Sequence, residues 1–216
     1  PYVCSIKGVL AEEARCETGW PRLMLASLAW LERRNARRAP LVLSTSRYCI
    51  ERIRRHYGVP PQRLALVGEG IDLGLWQPVT DPAELAAADA RRDPCTVLCV
   101  ARQYPRKRVI DLIEAFALVS RRLPQARLVI IGDGPEHGAL QRRLQELRLQ
   151  AAVQLLGALP DDRQVRDWYG RASLFCLPSE QEGFGIVFLE AMASGLPVVT
   201  TTAAAIPEVV PDGIAG

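Results

Sequence analysis

Aromatic residues make up only 6% of the 216-residue chain, and it holds just two histidines. So few rings offer no platform on which bases could stack, and a nucleic-acid partner is not expected. His56 and His137 have no companions at metal-ligand spacing, so no metal site is expected either. The six cysteines, Cys4, Cys16, Cys49, Cys95, Cys99 and Cys176, contain no C-x-x-C pair. Cys4, Cys95, Cys99 and Cys176 lie in apolar, strand-like runs, which favours buried, reduced thiols in a cytosolic protein over a disulfide set. No signal peptide is recognisable. The most apolar window, Gly185 to Ile206, carries Glu190, Pro197 and two glycines and would make a poor membrane-spanning helix. Ser44 and Ser46 stand in no G-x-S-x-G turn, which argues against a hydrolase triad. Gly132, Gly134 and Gly138 depart from the G-x-G-x-x-G pattern, which argues against a dinucleotide oxidoreductase.

What is present suits an α/β protein. Hydrophobic residues at 49% can fill a core, and a net charge of +3 neither demands nor excludes anionic partners. The length allows one large domain or parts of two. The chain opens without Met on a strand-like run, as a fragment would. Tyr2 to Ile6 reads as a buried strand running into Lys7 and Gly8. Residues 21–38 predict an amphipathic helix opened by Pro21 and closed before Pro40. Trp20, Met24, Leu28 and Leu31 share one side of it, and Arg33, Arg34, Arg37 and Arg38 crowd its last turns. Two readings of this helix stand. One is a core helix with cations at the negative end of its dipole; the other is a docking surface for an anionic membrane. Leu41–Ser44 predicts a second strand, and Ser46 to about Tyr57 a helix capped by Ser44 or Ser46. Leu64–Val67 predicts a third strand. Residues 76–94, small and polar with Pro78, Pro82 and Pro94, read as a linker between a domain at 1–75 and another at 95–216.

From Cys95 onward the pattern is regular. Strands at 95–101, 127–131, 152–156, 173–177 and 197–201 alternate with helices at 108–123, 135–149, about 161–170 and 186–194. Near-continuous apolar strands between amphipathic helices mean a parallel sheet covered on both faces. In the first of these helices Val109, Leu112, Ile113, Phe116 and Val119 keep a helical rhythm.

Ligands of such sheets sit beyond the carboxyl ends of the strands. The loop after 95–101 places four cations, Arg102, Arg106, Lys107 and Arg108, within seven residues. Arginine forks and a lysine point charge at that edge suit a pyrophosphate. Gly132-Asp133-Gly134-Pro135 reads as a tight strand-to-helix turn. The stretch Ser179–Thr201 holds Glu182 and Glu190, eight apart, around a Gly183-Phe184-Gly185 turn. Strand, glycine turn and helix in that order gather free N–H groups and the positive end of a helix dipole into an anion site. Glu182 can accept from ligand hydroxyls, and Glu190, one turn into the helix, suits a diol such as ribose.

The run EGFGIVFLEAMASGLPVV, with its order of strand, glycine turn, apolar helix and Gly-Leu-Pro, resembles the signature of glycosyltransferase family 4. These are retaining enzymes of the E-x7-E type on the GT-B fold. The resemblance implies two Rossmann-like α/β domains with parallel sheets: an acceptor-side domain only partly present at 1–75 and a donor-binding domain at 95–216. It implies transfer of a sugar from a nucleotide-diphosphate sugar, UDP-linked, to a lipid, glycan or small-molecule acceptor, with no cofactor and no metal. Arg102 and Lys107 would hold the diphosphate and Glu182 the sugar hydroxyls, these three carrying catalysis. Gly183, Phe184, Gly185, Ile186 and Val187 would bind the donor at the helix start, Glu190 its ribose, and Leu159 would pack on the base. The family has Gly where this chain has Arg108, and His where it has Lys7. A cytoplasmic enzyme, peripheral on the inner face of the membrane, is the expected setting. A catalytically inactive nucleotide-sugar-binding module and a phosphorylase of the same fold are the alternatives.

Overall fold

The computed structural model describes residues 2–76, 87, 90 and 92–214. Of the expected linker, residues 77–86, 88, 89 and 91 lie outside the described residues. The chain forms two compact units. The first comprises Pro1–Gly70, Glu180–Ile186 and Thr202–Pro211, and the second Ile71–Ser179, Val187–Thr201 and Asp212–Gly216.

The first unit is built on three parallel strands, β1 (Val3–Ile6), β2 (Leu41–Ser44) and β3 (Leu64–Leu66), in the order β1-β2-β3. Between them run the short α1 (Leu10–Glu13), the 20-residue α2 (Gly19–Arg38) and α3 (Arg47–Tyr57). Ser46 supplies the α3 cap, accepting from the Cys49 N–H at 3.1 Å, and Gly58 closes the helix at φ 66°. Ser44 is not the cap; its hydroxyl donates to the Ile6 carbonyl at 2.8 Å and ties β2 to β1. The core gathers Ile6, Val9, Val42, Ile53 and Tyr57.

Two expectations fail in this unit. The first strand is not buried: β1 is an edge strand paired on one side only, and Val3 is 56% exposed while Ile6 alone is buried. Nor is α2 a core helix in the expected sense. Trp20, Met24, Leu28 and Leu31 are all exposed, and the helix instead buries Ala29 and Ala36. Small side chains let its backbone approach the unit closely, so the alanine side faces inward and the bulky side faces out.

The second unit opens with α4 (Leu73–Trp76) and continues as β4 (Thr96–Val100), α5 (Val109–Arg122), β5 (Arg127–Ile131), α6 (His137–Glu146), β6 (Val153–Gly157), α7 (Asp162–Arg171), β7 (Leu174–Leu177), α8 (Ile186–Ala193) and β8 (Val198–Thr200). Every pairing is parallel and the order is β6-β5-β4-β7-β8. The predicted alternation is therefore met element by element, with no end shifted by more than three residues. Leu98, Ile113, Leu128, Ile130, Phe175 and Phe188 are fully or almost fully buried, each burial worth roughly 1.5–3 kcal/mol. β4 lies between β5 and β7, so the strand order reverses there. The loop leaving β4 and the residues leaving β7, Pro178 and Ser179, emerge side by side at the carboxyl edge, where ligands of such sheets bind. All six cysteines are free, with Cys49 and Cys99 buried and the others partly so.

Candidate functional site

The expected site residues are shared between the units. Arg102, Lys107, Leu159, Val187 and Glu190 belong to the second, and Glu182, Gly183, Phe184, Gly185 and Ile186 to the first.

In the second unit the cationic loop after β4 is held from beneath. Gln103 is fully buried, and its amide donates to the Gly132 carbonyl at 2.5 Å while its carbonyl oxygen meets His137 Nδ1 at 2.9 Å. Backbone bonds from Gln103 N to Asp133 O and from Glu136 N to Gln103 O complete the lock. The Gly-Asp-Gly-Pro turn packs directly against this loop. A Cβ on Gly132 would lie 2.0 Å from the Ala101 carbonyl oxygen, and one on Gly134 2.6 Å from that of Gln103. Both neighbours are backbone, which is the physical reason for glycine there. Above the lock the cations gather on one ring, with the Arg106 and Arg102 guanidinium carbons 4.6 and 6.0 Å from the Tyr104 centroid. Arg102 is exposed. Lys107 ends a 3-10 turn, Pro105–Lys107, and its charge opposes the rise that burial and Cys176 impose on the Cys99 thiol. Arg108 follows at φ 53°. The left-handed conformation that glycine would adopt freely is thus kept with arginine, at a cost of roughly 1–2 kcal/mol.

Glu190 is partly buried on α8. The Tyr169 hydroxyl, from α7, donates to its Oε2 at 2.9 Å and lies 3.4 Å from the Val187 carbonyl. Burial raises the Glu190 carboxyl, the Tyr169 bond pulls it down, and Asp162 adds to the rise. Tyr169 is itself fully buried, stacked on Phe175 at 5.7 Å and met edge-on by Trp76 at 5.2 Å. Arg92 donates to the Tyr169 and Ala172 carbonyls at 3.0 and 2.8 Å and also to that of Ser194. The expected ribose ligand is therefore a carboxylate pinned by one oxygen. Leu159 stands, half-buried, in the loop that follows β6. Sequence reasoning missed Gln103, Tyr104 and Tyr169. Nothing local distinguishes Tyr169 from Trp168 beside it; the packing of α7 on α8 does.

In the first unit the Glu182–Ile186 turn is seated on the loop after β1. A Cβ on Gly183 would fall 1.9 Å from the Lys7 carbonyl oxygen, so this position admits only glycine. The Gly183 carbonyl accepts from Thr45 Oγ1 at 3.3 Å and Cys49 Sγ at 3.4 Å. Gly185 serves a different need, a φ of 89°. Glu182 is only 7% exposed, and its carbonyl accepts from the Ala205 N–H at 3.3 Å. Phe184 lines a cavity of about 360 Å³ with Thr45, Arg47, Leu66, Gly68 and Glu208. The Glu208 carboxylate there accepts from the Arg47 and Tyr48 N–H groups at 2.8 and 2.7 Å, occupying the start of α3. Lys7 pairs with Glu69 at 2.8 Å in a second, smaller cavity bordered by Ser5 and Thr45. Among the described residues no three His, Cys, Asp or Glu side chains gather as a metal-binding group.

Comparison with known proteins agrees with this architecture. The chain is 33% identical over 208 residues to the GDP-mannose-dependent alpha-(1-6)-phosphatidylinositol monomannoside mannosyltransferase of Mycolicibacterium smegmatis, covering 93% of this chain and 53% of that one. It is 33% identical over 169 residues to the D-inositol 3-phosphate glycosyltransferase of Kribbella flavida, covering 74% and 40%. The chain thus spans about half or less of the length of these relatives. Among solved structures it superposes on Anabaena HepE in complex with UDP-glucose with a TM-score of 0.77 at 24% identity, covering all of this chain and 57% of that one. WaaG, a glycosyltransferase involved in lipopolysaccharide biosynthesis, gives a TM-score of 0.75 at 23% identity, covering 95% and 58%. The family model for glycosyl transferases group 1 matches residues 82–216, and that for glycosyltransferase family 4 matches residues 1–75. With both models matched in sequence order on a pair of parallel α/β units, the chain belongs to glycosyltransferase family 4, of the GT-B fold.

Proposed function

We propose that this chain carries the donor-binding part, and a portion of the acceptor side, of a retaining glycosyltransferase. It would move a hexose from a nucleotide-diphosphate sugar to a lipid, glycan or small-molecule acceptor. The observation that carries the reading is the Glu190 carboxylate, fixed on α8 by a hydrogen bond from the buried Tyr169; a carboxylate so held is of the kind that grips a diol. The cationic loop at the reversal of strand order supports it, since departing diphosphate needs positive charge where its own charge grows. In this reading Arg102 and Lys107 neutralise the leaving group without a divalent metal. The N–H groups of Gly185, Ile186 and Val187 add the partial charge of a helix start. Glu182 orients the sugar hydroxyls, Gly183 and Phe184 shape the turn, and Leu159 borders the base.

A UDP-linked donor is supported by HepE, solved with UDP-glucose, and a GDP-linked one by the mycobacterial relative named for GDP-mannose. Titrating the chain with UDP-, GDP- and ADP-sugars by calorimetry and thermal shift separates them. Binding of one class is expected, and binding of none refutes the reading. In an active enzyme containing this chain, Lys107→Ala should lower kcat by roughly 10²–10³, with turnover indifferent to chelator and the anomeric configuration retained by NMR. Near-normal turnover would remove Lys107 from the mechanism. The inactive-module alternative draws on Lys7, which stands paired to Glu69 where the family carries His. Donor binding without transfer or hydrolysis would favour it.

A further inference from the structure

The three strands of the first unit run parallel and finish in register, Ile6 beside Ser44 and Ser44 beside Leu66, so this unit has a carboxyl edge of its own. Two cavities open along that edge. The smaller, about 170 Å³, is bordered by Ser5, Lys7, Ser44, Thr45 and Glu69. The larger, about 360 Å³, is bordered by Arg47, Leu66, Phe184 and Glu208. Thr45 and Gly68 border both, so the two adjoin, within the size range of small-molecule sites, roughly 300–1,000 Å³.

Among the described residues each cavity borders one cation and one carboxylate. Lys7 Nζ meets Glu69 Oε1 at 2.8 Å, with both side chains reaching solvent. Glu208 stands with Arg47, its carboxylate accepting from the Arg47 and Tyr48 N–H groups. The hydroxyl protons of the smaller cavity are spent on backbone. Ser44 donates to the Ile6 carbonyl at 2.8 Å, and Thr45 to the Lys7 and Gly183 carbonyls at 3.4 and 3.3 Å. A hydroxyl so engaged keeps only its accepting capacity. The side chains thus offer acceptors, together with an ammonium whose charge is answered at contact distance.

Phosphate suits this lining poorly. It only accepts, it would have to draw Lys7 from Glu69, and its charge would stand beside the Glu69 carboxylate. Sugar hydroxyls both donate and accept. Two neighbouring ones can span the ion pair without separating it, one donating to Glu69 and the other accepting from Lys7. Leu66 and Phe184 add apolar area for the C–H face of a ring.

We propose that the smaller cavity takes the acceptor sugar, and that the Lys7–Glu69 pair selects a neutral glycosidic residue over one carrying phosphate. Calling this guest the acceptor rests on the glycosyltransferase reading above. Its binding needs no nucleotide.

The test is NMR titration of the chain with the methyl glycosides of glucose, galactose and mannose, and with the 6-phosphates of the same sugars. At least one neutral glycoside should bind at least ~10-fold more tightly than its 6-phosphate, shifting the amide signals of Lys7, Thr45 and Glu69. Glu69→Gln keeps the shape and removes the repulsion, so 6-phosphate binding should tighten roughly 10-fold while the neutral glycoside weakens. Lys7→Met should weaken the neutral glycoside without admitting the 6-phosphates. Lys7→Arg keeps the pair and should keep the preference. Equal or tighter binding of the 6-phosphates by the parent, no binding of either class, or the parent's preference in Glu69→Gln overturns the proposal. Titrating nucleotide sugars into the same sample separates the two readings. Nucleotide sugar bound without glycoside ends the acceptor proposal alone, and glycoside bound without nucleotide sugar ends the donor reading alone.

Discussion

Replacing Tyr169 with Phe removes one oxygen from the second unit and little else. The ring keeps its stack on Phe175 and its edge contact with Trp76, and α7 keeps its place through the Arg92 bonds to the Tyr169 and Ala172 carbonyls. What disappears is a 2.9 Å hydrogen bond to the Glu190 carboxylate. A hydrogen bond to a charged group contributes about 1.5–3 kcal/mol, so the carboxylate loses its orientation and a counterweight to its burial together. If Glu190 grips the ribose, that loss appears in the nucleoside part of the ligand and not in the diphosphate. Calorimetry with UDP or GDP, whichever binds, against its 2′,3′-dideoxy counterpart reads this directly. The parent chain should prefer the ribonucleotide by roughly 10-fold or more, the value of one good charged hydrogen bond. Tyr169→Phe should erase most of that preference while leaving the dideoxy affinity unchanged. A purely structural role for Tyr169 would weaken both ligands equally. Equal preference in parent and variant would refute the assignment of Glu190 to the ribose.

Two further outcomes follow from the same geometry. Gly183→Ala would place a methyl 1.9 Å from the Lys7 carbonyl oxygen, a backbone atom with little room to yield; overpacking of this kind costs roughly 1–3 kcal/mol, and an unchanged urea midpoint would mean the close approach is wrong. Glu190 has its carboxyl raised by burial, net of the favourable Tyr169 bond. Its contribution to stability is thus fullest below the unfolded carboxyl value, about 4.3, and is lost as pH rises through the raised folded value. Glu190→Gln should therefore melt higher than the parent at pH 7 and level with it in acid, while binding nucleotide more weakly. A melting difference independent of pH would contradict this.

Much of the second unit was legible in the residues. Its strands are short apolar runs and its helices keep a helical rhythm, both set by neighbours a few residues away, so the alternation and the sheet's functional edge follow from local pattern. The Arg102–Arg108 cluster, the glycine turn and the Glu182–Glu190 spacing are local too. The order of strands was not read, yet it is what puts the loop leaving β4 beside the end of β7 at the reversal point.

Other features depend on partners far along the chain. Periodicity gave α2 an apolar face but not its direction, and the bulky side faces out because alanine allows the tighter approach to the unit. Gly183 reads as a turn residue, yet its necessity comes from Lys7, 176 positions earlier. Tyr169 carries no local mark of its bond to Glu190. Local sequence determined which elements form and which chemical groups their loops present. Tertiary packing alone decided which face of α2 meets solvent, which carboxylate is held and by whom, and where no side chain fits, because those depend on distances between residues that the chain brings together only on folding.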